Sequence, residues 1–306
     1  MLSRPDILVL GGGGVLGEAW LTGVLAGLED GAGVDMRRCE YLVGTSAGSI
    51  VAARLAAGQS PRRPSDLRET WGEAELKTTA SAPGRALQLA RSAGEWAVAL
   101  TTPAVSLSLA ATASGGAVAR AAALRAMGRG SMSLDRLERE VDGLNARFDG
   151  RLRITAVRRR NGRRVIFGQP NAPAASVGAA VAASCSVPWL FAPVRIRGQE
   201  YVDGGVWSPT NLDAAPAGRG SEVLCLNPTA NLAGYGGLLT AARFTSRSVV
   251  AVEAAALRRR GATVRVISPD PESATEMGWN LMSAEPSRRV LDAGYRQGRR
   301  LALAGS

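Results

Sequence analysis

An α/β fold with a mostly parallel central sheet is the architecture this sequence predicts. Two short apolar runs, DILVL at 6–10 and CEYLV at 39–43, each lead through a glycine-bearing turn into a helix-forming stretch. Two more, EVLCLNP at 222–228 and TVRVISP at 263–269, are separated by a long helical pattern. Strand, turn and helix in repeated order place successive strands parallel, with helices covering the sheet.

The elements follow in order. The first strand spans 6–10, and glycines 11–14 open a helix reaching to about Leu28. The second strand, 39–43, precedes a helix over Ala47–Ala57. From about 59 to 132 strand signals vanish, Ala, Ser, Thr, Leu and Arg dominate, and Pro61, Pro64, Pro83 and Pro103 punctuate. This stretch is predicted to be a helical insertion. Leu134, Leu137, Val141, Leu144 and Phe148 then follow helical spacing, with Ser133 as N-cap. RLRITAVRRR and RRVIFG flank Asn161-Gly162, a strong hairpin signal, and VRIRGQEYVDGG reads as a second hairpin. A helix is expected from Leu238 to Arg260, and an arginine-rich one over 286–304.

The chain has 306 residues, 46% of them hydrophobic, enough for one large core. Its net charge is +11, almost all from arginine, with Lys77 the single lysine. Such charge fits either a solvated basic surface or an anionic partner such as an acidic membrane. Aromatic residues make up 5% and no nucleic-acid module is recognisable, so no nucleic-acid partner is expected. Cys39, Cys185 and Cys225 are widely spaced and read as buried thiols of a reducing compartment. With no histidine and no close cysteine pair, neither a metal nor a cofactor is expected. The N-terminal apolar run is too short for a signal peptide. Thr101, Thr102, Pro103, Ser106 and Ser108 interrupt the least polar stretch, 96–113, so it does not read as a membrane span. A cytoplasmic protein is expected.

One pentapeptide carries chemistry. Gly44-Thr45-Ser46-Ala47-Gly48 fits G-x-S-x-G between a strand and a helix, the frame that presents a nucleophilic serine on a sharp turn. The following helix aims its positive end at the serine oxygen. The run Gly11-Gly12-Gly13-Gly14-Val15-Leu16-Gly17 admits two uses. One is a dinucleotide fingerprint, but the next strand ends in Gly-Thr-Ser rather than in the acidic residue that binds ribose. The other is an oxyanion hole of convergent backbone amides.

With no histidine a Ser-His-Asp triad is impossible, and Lys77 lies in the insertion, so a carboxylate must take the serine proton. Asp203, between an apolar strand and two glycines, is one candidate; Asp30 and Asp149 read as solvated turn residues. On local sequence alone Asp203 fits a turn aspartate as well as a base.

Four blocks in order resemble the patatin-like phospholipases, lipid acyl hydrolases that use a Ser–Asp dyad. GGGVLG (12–17) resembles the family's oxyanion loop and GTSAG (44–48) its nucleophile elbow. AASCSVPWLFAPV (182–194) resembles its A-S-x-x-x-P-x-x-F-x-P block, and DGGV (203–206) the block carrying the base. The likeness covers roughly 5–57 and 150–228. It implies a three-layer α/β/α patatin-like fold and a single domain over 1–306 with an insertion at about 59–132. It further implies Ser46 as nucleophile, Asp203 as proton acceptor and the amides of Gly12, Gly13 and Gly14 as oxyanion hole. Gly17, Gly44, Gly48, Gly204 and Gly205 are the remaining motif glycines. Leu16 stands where the family usually has Arg or Lys. The expected substrate is a phospholipid, lysophospholipid or acylglycerol, with peripheral contact to anionic membrane. Trp71 and Trp96 suit the insertion to a lipid interface, and Trp189, Val202, Val206 and Trp207 could keep the base dry. The alternative is a non-catalytic lipid- or nucleotide-binding module on the same fold.

Overall fold

The computed structural model describes residues 3–66, 116–231 and 237–304. Lys77, Trp71, Trp96 and most of the expected insertion lie outside the described residues.

β1 (Ile7–Leu10) is buried along its whole length, the pattern of a central parallel strand. α1 (Gly14–Ala32) runs past Leu28 until Gly33, in the left-handed conformation, returns its N–H to the Glu29 carbonyl. β2 spans Tyr41–Thr45, two residues later than expected. The Asp35 side chain accepts the Arg37 N–H and caps a 3₁₀ turn over Met36–Arg38 that uses up the intervening chain. α2 (Ala47–Ala56) follows β2 directly. Residues 116–126 form α3, within the span expected to be helical.

α4 (Asp135–Asp142) is capped at Leu134, one residue beyond the expected cap, yet the Ser133 hydroxyl still accepts the Asp135 N–H at 3.0 Å. β3 (Leu152–Arg158) and β4 (Arg163–Phe167) form the first hairpin. β5 (Val194–Ile196) and β6 (Gln199–Asp203) form the second. Between them α5 (Val177–Cys185) is small and apolar all round, so it carries no helical period; only its cap, Ser176 accepting the Ala179 N–H, marks it. β7 (Glu222–Leu226), α6 (Gly237–Arg259) and β8 (Thr263–Ile267) come next. α7 (Pro271–Met277), capped by Asp270 with a proline in its first turn, was not anticipated, and α8 (Ser287–Leu303) closes the described chain.

The strand order is β5-β6-β3-β2-β1-β7-β8, with β4 paired to β3. The run β3-β2-β1-β7-β8 is parallel. Alternate strand residues feed two cores, as the two-residue side-chain period requires. Leu8, Leu10, Leu42 and Ile154 pack with α1, α2 and α5 on one face. Ile7, Val9, Val43 and Cys225 pack with Val250, Ala254 and Leu257 of α6 on the other. The fold is thus three-layered, α/β/α. No helix among the described residues is long and apolar enough to cross a membrane.

Glycines bring α1 and α8 to backbone contact. A Cβ on Gly23 would lie 2.1 Å from the Leu291 carbonyl oxygen, and one on Gly298 2.3 Å from that of Val24. Trp20 Nε1 donates to Gln297 Oε1 at 2.9 Å across the same seam. This seam backs the glycine loop, because the segment leading into α8 accepts the Leu16 N–H through the Leu281 carbonyl. Gly23→Ala is therefore expected to cost about 2 kcal/mol or more, since backbone rather than a side chain must yield. Gly143→Ala, at a helical φ of −61° where a Cβ would meet only the Arg139 and Glu140 carbonyl oxygens at an ordinary 3.4 Å, is expected to be neutral within about 0.5 kcal/mol. Urea denaturation of both variants checks the contrast.

Candidate active site

Two strands meet end to end beside β3. β4 occupies one edge of β3 throughout, pairing with Ile154 to Arg158. On the other edge β2 pairs as far as Thr45 with Thr155, and β6 takes over with Asp203 opposite Ala156. β2 runs parallel to β3 and β6 antiparallel, so their carboxyl ends face each other. Ser46 leaves one end and Asp203 stands at the other.

Ser46 has φ 51° and ψ −125°, a conformation that costs an ordinary residue free energy and needs surrounding structure to hold it. Its N–H donates to the Ser184 hydroxyl of α5 at 2.8 Å, and its carbonyl accepts the Ser49 hydroxyl at 2.6 Å. Ser184 is the serine of the A-S-x-x-x-P block, but its contact with the Ser46 N–H is tertiary and was not read from the sequence; Ser49 follows the turn without a signal of its own. The turn also needs its glycines. A Cβ on Gly44 would lie 2.5 Å from Ser49 Cα, and one on Gly48 2.1 Å from the Leu10 carbonyl oxygen.

Asp203 is buried, 5% exposed. Its Oδ1 accepts the Gly205 N–H at 2.6 Å, and its own N–H donates to the Ser186 carbonyl at 2.9 Å. Burial lifts the carboxyl pKa from 3.8 to about 6. The Gly205 N–H that donates to it and the nearby Ser46 hydroxyl oppose that rise. Gly204 must lack a side chain because its Cβ would meet the Thr155 carbonyl oxygen at 2.5 Å. Cys185 lies beside the pair, and burial together with the Asp203 charge raises its thiol far above the ordinary range. It is therefore neither thiolate nor base.

The glycine loop divides its amides. Gly11 donates to Leu226 O at 2.9 Å and Gly12 to Pro209 O at 2.8 Å. The expectation that Gly12 offers an oxyanion-hole amide is corrected here, since its N–H is already committed. Its part is close approach: a Cβ on it would lie 3.2 Å from Ser46 Cβ. The amides of Gly13 and Gly14 have no acceptor among the described residues. Gly17 donates to Gly13 O at 2.8 Å and packs against Pro228. Leu16 is fully buried in the core, so an arginine or lysine at this position would bury its charge.

A buried polar scaffold stands behind these residues. Thr45 and Thr155 share a hydroxyl hydrogen bond of 2.9 Å. Asn211 Nδ2 donates to Thr45 Oγ1 at 3.2 Å, to Gly204 O at 3.2 Å and to Ser208 O at 2.8 Å, tying both strand ends together. Glu253 of α6 accepts the Leu212 N–H at 2.9 Å and the Thr210 hydroxyl at 3.3 Å. Burial and the nearby Asp213 charge push its carboxyl up to about 7. Sequence reading missed Asn211 and Glu253, which lie in no motif.

Other expectations fare differently. Trp207 is stacked between Arg120 and Arg164, at 4.2 and 5.0 Å from its ring centre. Val202 and Val206 pack with Leu124 and Val157 as ordinary core. Trp189 is half-buried at φ 59°. Asp30 pairs with Arg63 and Tyr295, and Asp149 with Arg151, so neither is directed at Ser46.

The raised Asp203 pKa has a stability consequence. The folded chain holds this proton more tightly than the unfolded chain does. Asp203 therefore costs nothing below about pH 4 and costs progressively more as pH rises through 6. The shift corresponds to about 3 kcal/mol. Asp203→Asn is expected to raise the Tm at pH 8 and to lose that advantage near pH 4, as followed by calorimetry.

A search of curated proteins returns no match. Among solved structures, the crystal structure of VipD from Legionella pneumophila is 16% identical, with TM-score 0.46 over 99% of this chain and 67% of that one. The ExoU–SpcU complex from the type III secretion system of Pseudomonas aeruginosa gives 20% identity and TM-score 0.42, over 99% of this chain and 52% of that one. This chain thus spans about two thirds and about half of those chains. The family model described as patatin-like phospholipase matches residues 8–216, which hold the glycine loop, Ser46 and Asp203. That match takes in well over half of the 306 residues, and the chain belongs to the patatin-like phospholipases.

Proposed function

We propose that Ser46 and Asp203 form a two-residue catalytic centre that hydrolyses acyl esters of lipids. The observation carrying this reading is the end-to-end meeting of β2 and β6, which sets a buried carboxylate against the Ser46 hydroxyl in a chain without histidine. Asp203 takes the hydroxyl proton as Ser46 Oγ bonds to the acyl carbon. The carbonyl oxygen gains the negative charge and is met by the Gly13 and Gly14 amides at the start of α1. The tetrahedral species collapses, the C–O bond to the alcohol breaks, and Asp203 returns the proton to the leaving oxygen. Water then attacks the acyl-enzyme, Asp203 again accepts the proton, and Ser46 is released as the hydroxyl. A carboxylate at its ordinary pKa is a weak base for an alcohol; burial raises it towards the working range.

The residues from 1 to 306 are read as one catalytic domain. β7 and β8 support this, since they extend the same sheet on the β1 side although they lie beyond the family match. A lipid ester as substrate follows the family.

Ser46→Ala and Asp203→Asn are each expected to lower esterase kcat by about 10³-fold or more, with the double variant no worse than either single, because the pair acts as a unit. Covalent labelling by a fluorophosphonate should need both residues. A folded protein that neither labels nor hydrolyses esters would favour the non-catalytic binding module.

The acid limb of kcat/KM is expected near pH 6, with activity rising as Asp203 loses its proton. Asp203→Glu should move or abolish that limb. An unchanged limb in an active Asp203→Glu protein would assign the proton to another group.

A further inference from the structure

A second feature stands on the same edge of the sheet as Ser46. β3 and β6 continue past the level of Thr45, with the Arg159 N–H donating to the Glu200 carbonyl at 2.9 Å. Around their ends a cleft of about 610 Å³ is lined by Arg125, Arg129, Arg159, Arg160 and Arg195 together with Glu200. Its size suits a small ligand. The side chains come from α3 and the chain just after it, from the β3–β4 turn and from the β5–β6 hairpin, so three separate parts of the chain converge.

Glu200 organises the cluster without neutralising it. Arg129 lies 2.5 Å from Glu200 Oε1, Arg159 3.5 Å from Oε2 and Arg195 3.5 Å from Oε1. Arg159 is held further by the Leu124 and Gly128 carbonyls. Arg125 and Arg160 are exposed and have no acidic partner among the described residues. One carboxylate has few lone pairs to offer against the forked donors of five guanidinium groups. Most of their N–H groups therefore face the cleft or solvent, and the cluster carries an excess of positive charge. The arginine-rich α8 is different: Arg289, Arg296 and Arg300 each reach acidic residues. High net charge alone thus does not explain the cleft, where like charges are gathered around a hollow.

We propose that this cleft binds phosphate ester groups carrying close to two negative charges, presented by an anionic lipid headgroup or by a free phosphate ester. Planar guanidinium groups match phosphate oxygens two at a time, and a dianion offsets about half of the excess charge that Glu200 leaves. Glu200 sits three residues before Asp203 along β6, about 10 Å at the rise of a strand. A phosphate held there lies close to the candidate dyad, yet binding it requires no chemistry at Ser46.

The test uses the full chain and compares Arg125→Glu/Arg160→Glu with Arg259→Glu/Arg260→Glu. The second pair makes the same charge change at exposed residues on the opposite edge, just before β8. Co-sedimentation is measured with vesicles of phosphatidylcholine alone and with added phosphatidic acid, at low and high salt; glycerol 3-phosphate binding is measured by calorimetry. The unaltered protein is expected to prefer the phosphatidic acid vesicles, and the cleft pair to weaken that binding at least about tenfold. The control pair should change it no more than about twofold. Glycerol 3-phosphate bound as tightly as vesicles would assign the site to free phosphate esters, and vesicle binding alone to lipid headgroups. Equal weakening by both pairs, no binding of either probe, or tighter binding of an oligonucleotide than of phosphatidic acid would overturn the proposal. Ser46→Ala should leave vesicle binding intact, so failure of the catalytic reading and failure of this one are read separately. Melting curves confirm that both double variants fold.

Discussion

The rest of this structure depends on one edge of β3 being shared by two strands. Backbone hydrogen bonding fixes β2 as far as Thr45 and β6 from Asp203, with opposite directions and no gap between their partners on β3. A strand pair sets positions through its ladder, so the distance between Ser46 and Asp203 does not depend on loop conformation. Reacting groups held by a sheet are positioned more tightly than groups on mobile loops. The close approaches follow from this. Gly204 must be glycine because it crosses the Thr155 carbonyl, and Gly44 and Gly48 because α2 has to leave immediately after β2.

The same constraint sets the energetics. A carboxylate placed where two strand ends meet is cut off from water, so its charged form is penalised. The protein answers locally with a backbone amide and a hydroxyl rather than with a cation. A neighbouring arginine would lower the pKa and remove the basicity that burial confers. Arg120 and Arg164 are engaged elsewhere: both lie over the Trp207 ring, and Arg164 pairs with Asp213. Asn211 and the two threonines satisfy the polar atoms behind the site without adding charge.

Arginine is used in three ways across the fold. On α8 it ties the helix to α7 through exposed ion pairs, each worth little alone. Around Trp207 it stacks on an aromatic face, where a planar cation suits better than an ammonium. At the ends of β3 and β6 it gathers about one glutamate with donors to spare. Net charge alone does not distinguish these uses; only neighbours do.

Local patterns were legible in the sequence wherever one segment carried its own signal. The glycine-terminated apolar runs marked β1 and β2, Asn161-Gly162 marked the first hairpin, and G-x-S-x-G marked the turn at Ser46. Such features follow from backbone sterics and hydrophobic period, which act over a few residues. The start of β2 and the helix α5 were not legible, because a single Asp35 cap displaced the first and uniform small residues hid the period of the second. On local sequence alone Asp203 fitted a turn aspartate as well as a base, and only the family resemblance singled it out; strand pairing sets it at the end of β6 that faces the end of β2, with Ser46 157 residues earlier in the chain. The Gly12 amide looked free until Pro209 came within 2.8 Å of it. Asn211, Glu253 and the arginine cleft carry no local signal, and Ser184 shows only its place in the A-S-x-x-x-P block, since what matters in each is a partner distant in sequence. The sequence by itself determined the strands, most of the longer helices and which serine sits on a sharp turn, but not α5 or α7. Only the tertiary structure decided which carboxylate is buried beside it and which amides are left without acceptors, because burial and hydrogen-bond satisfaction depend on segments that only the fold brings together.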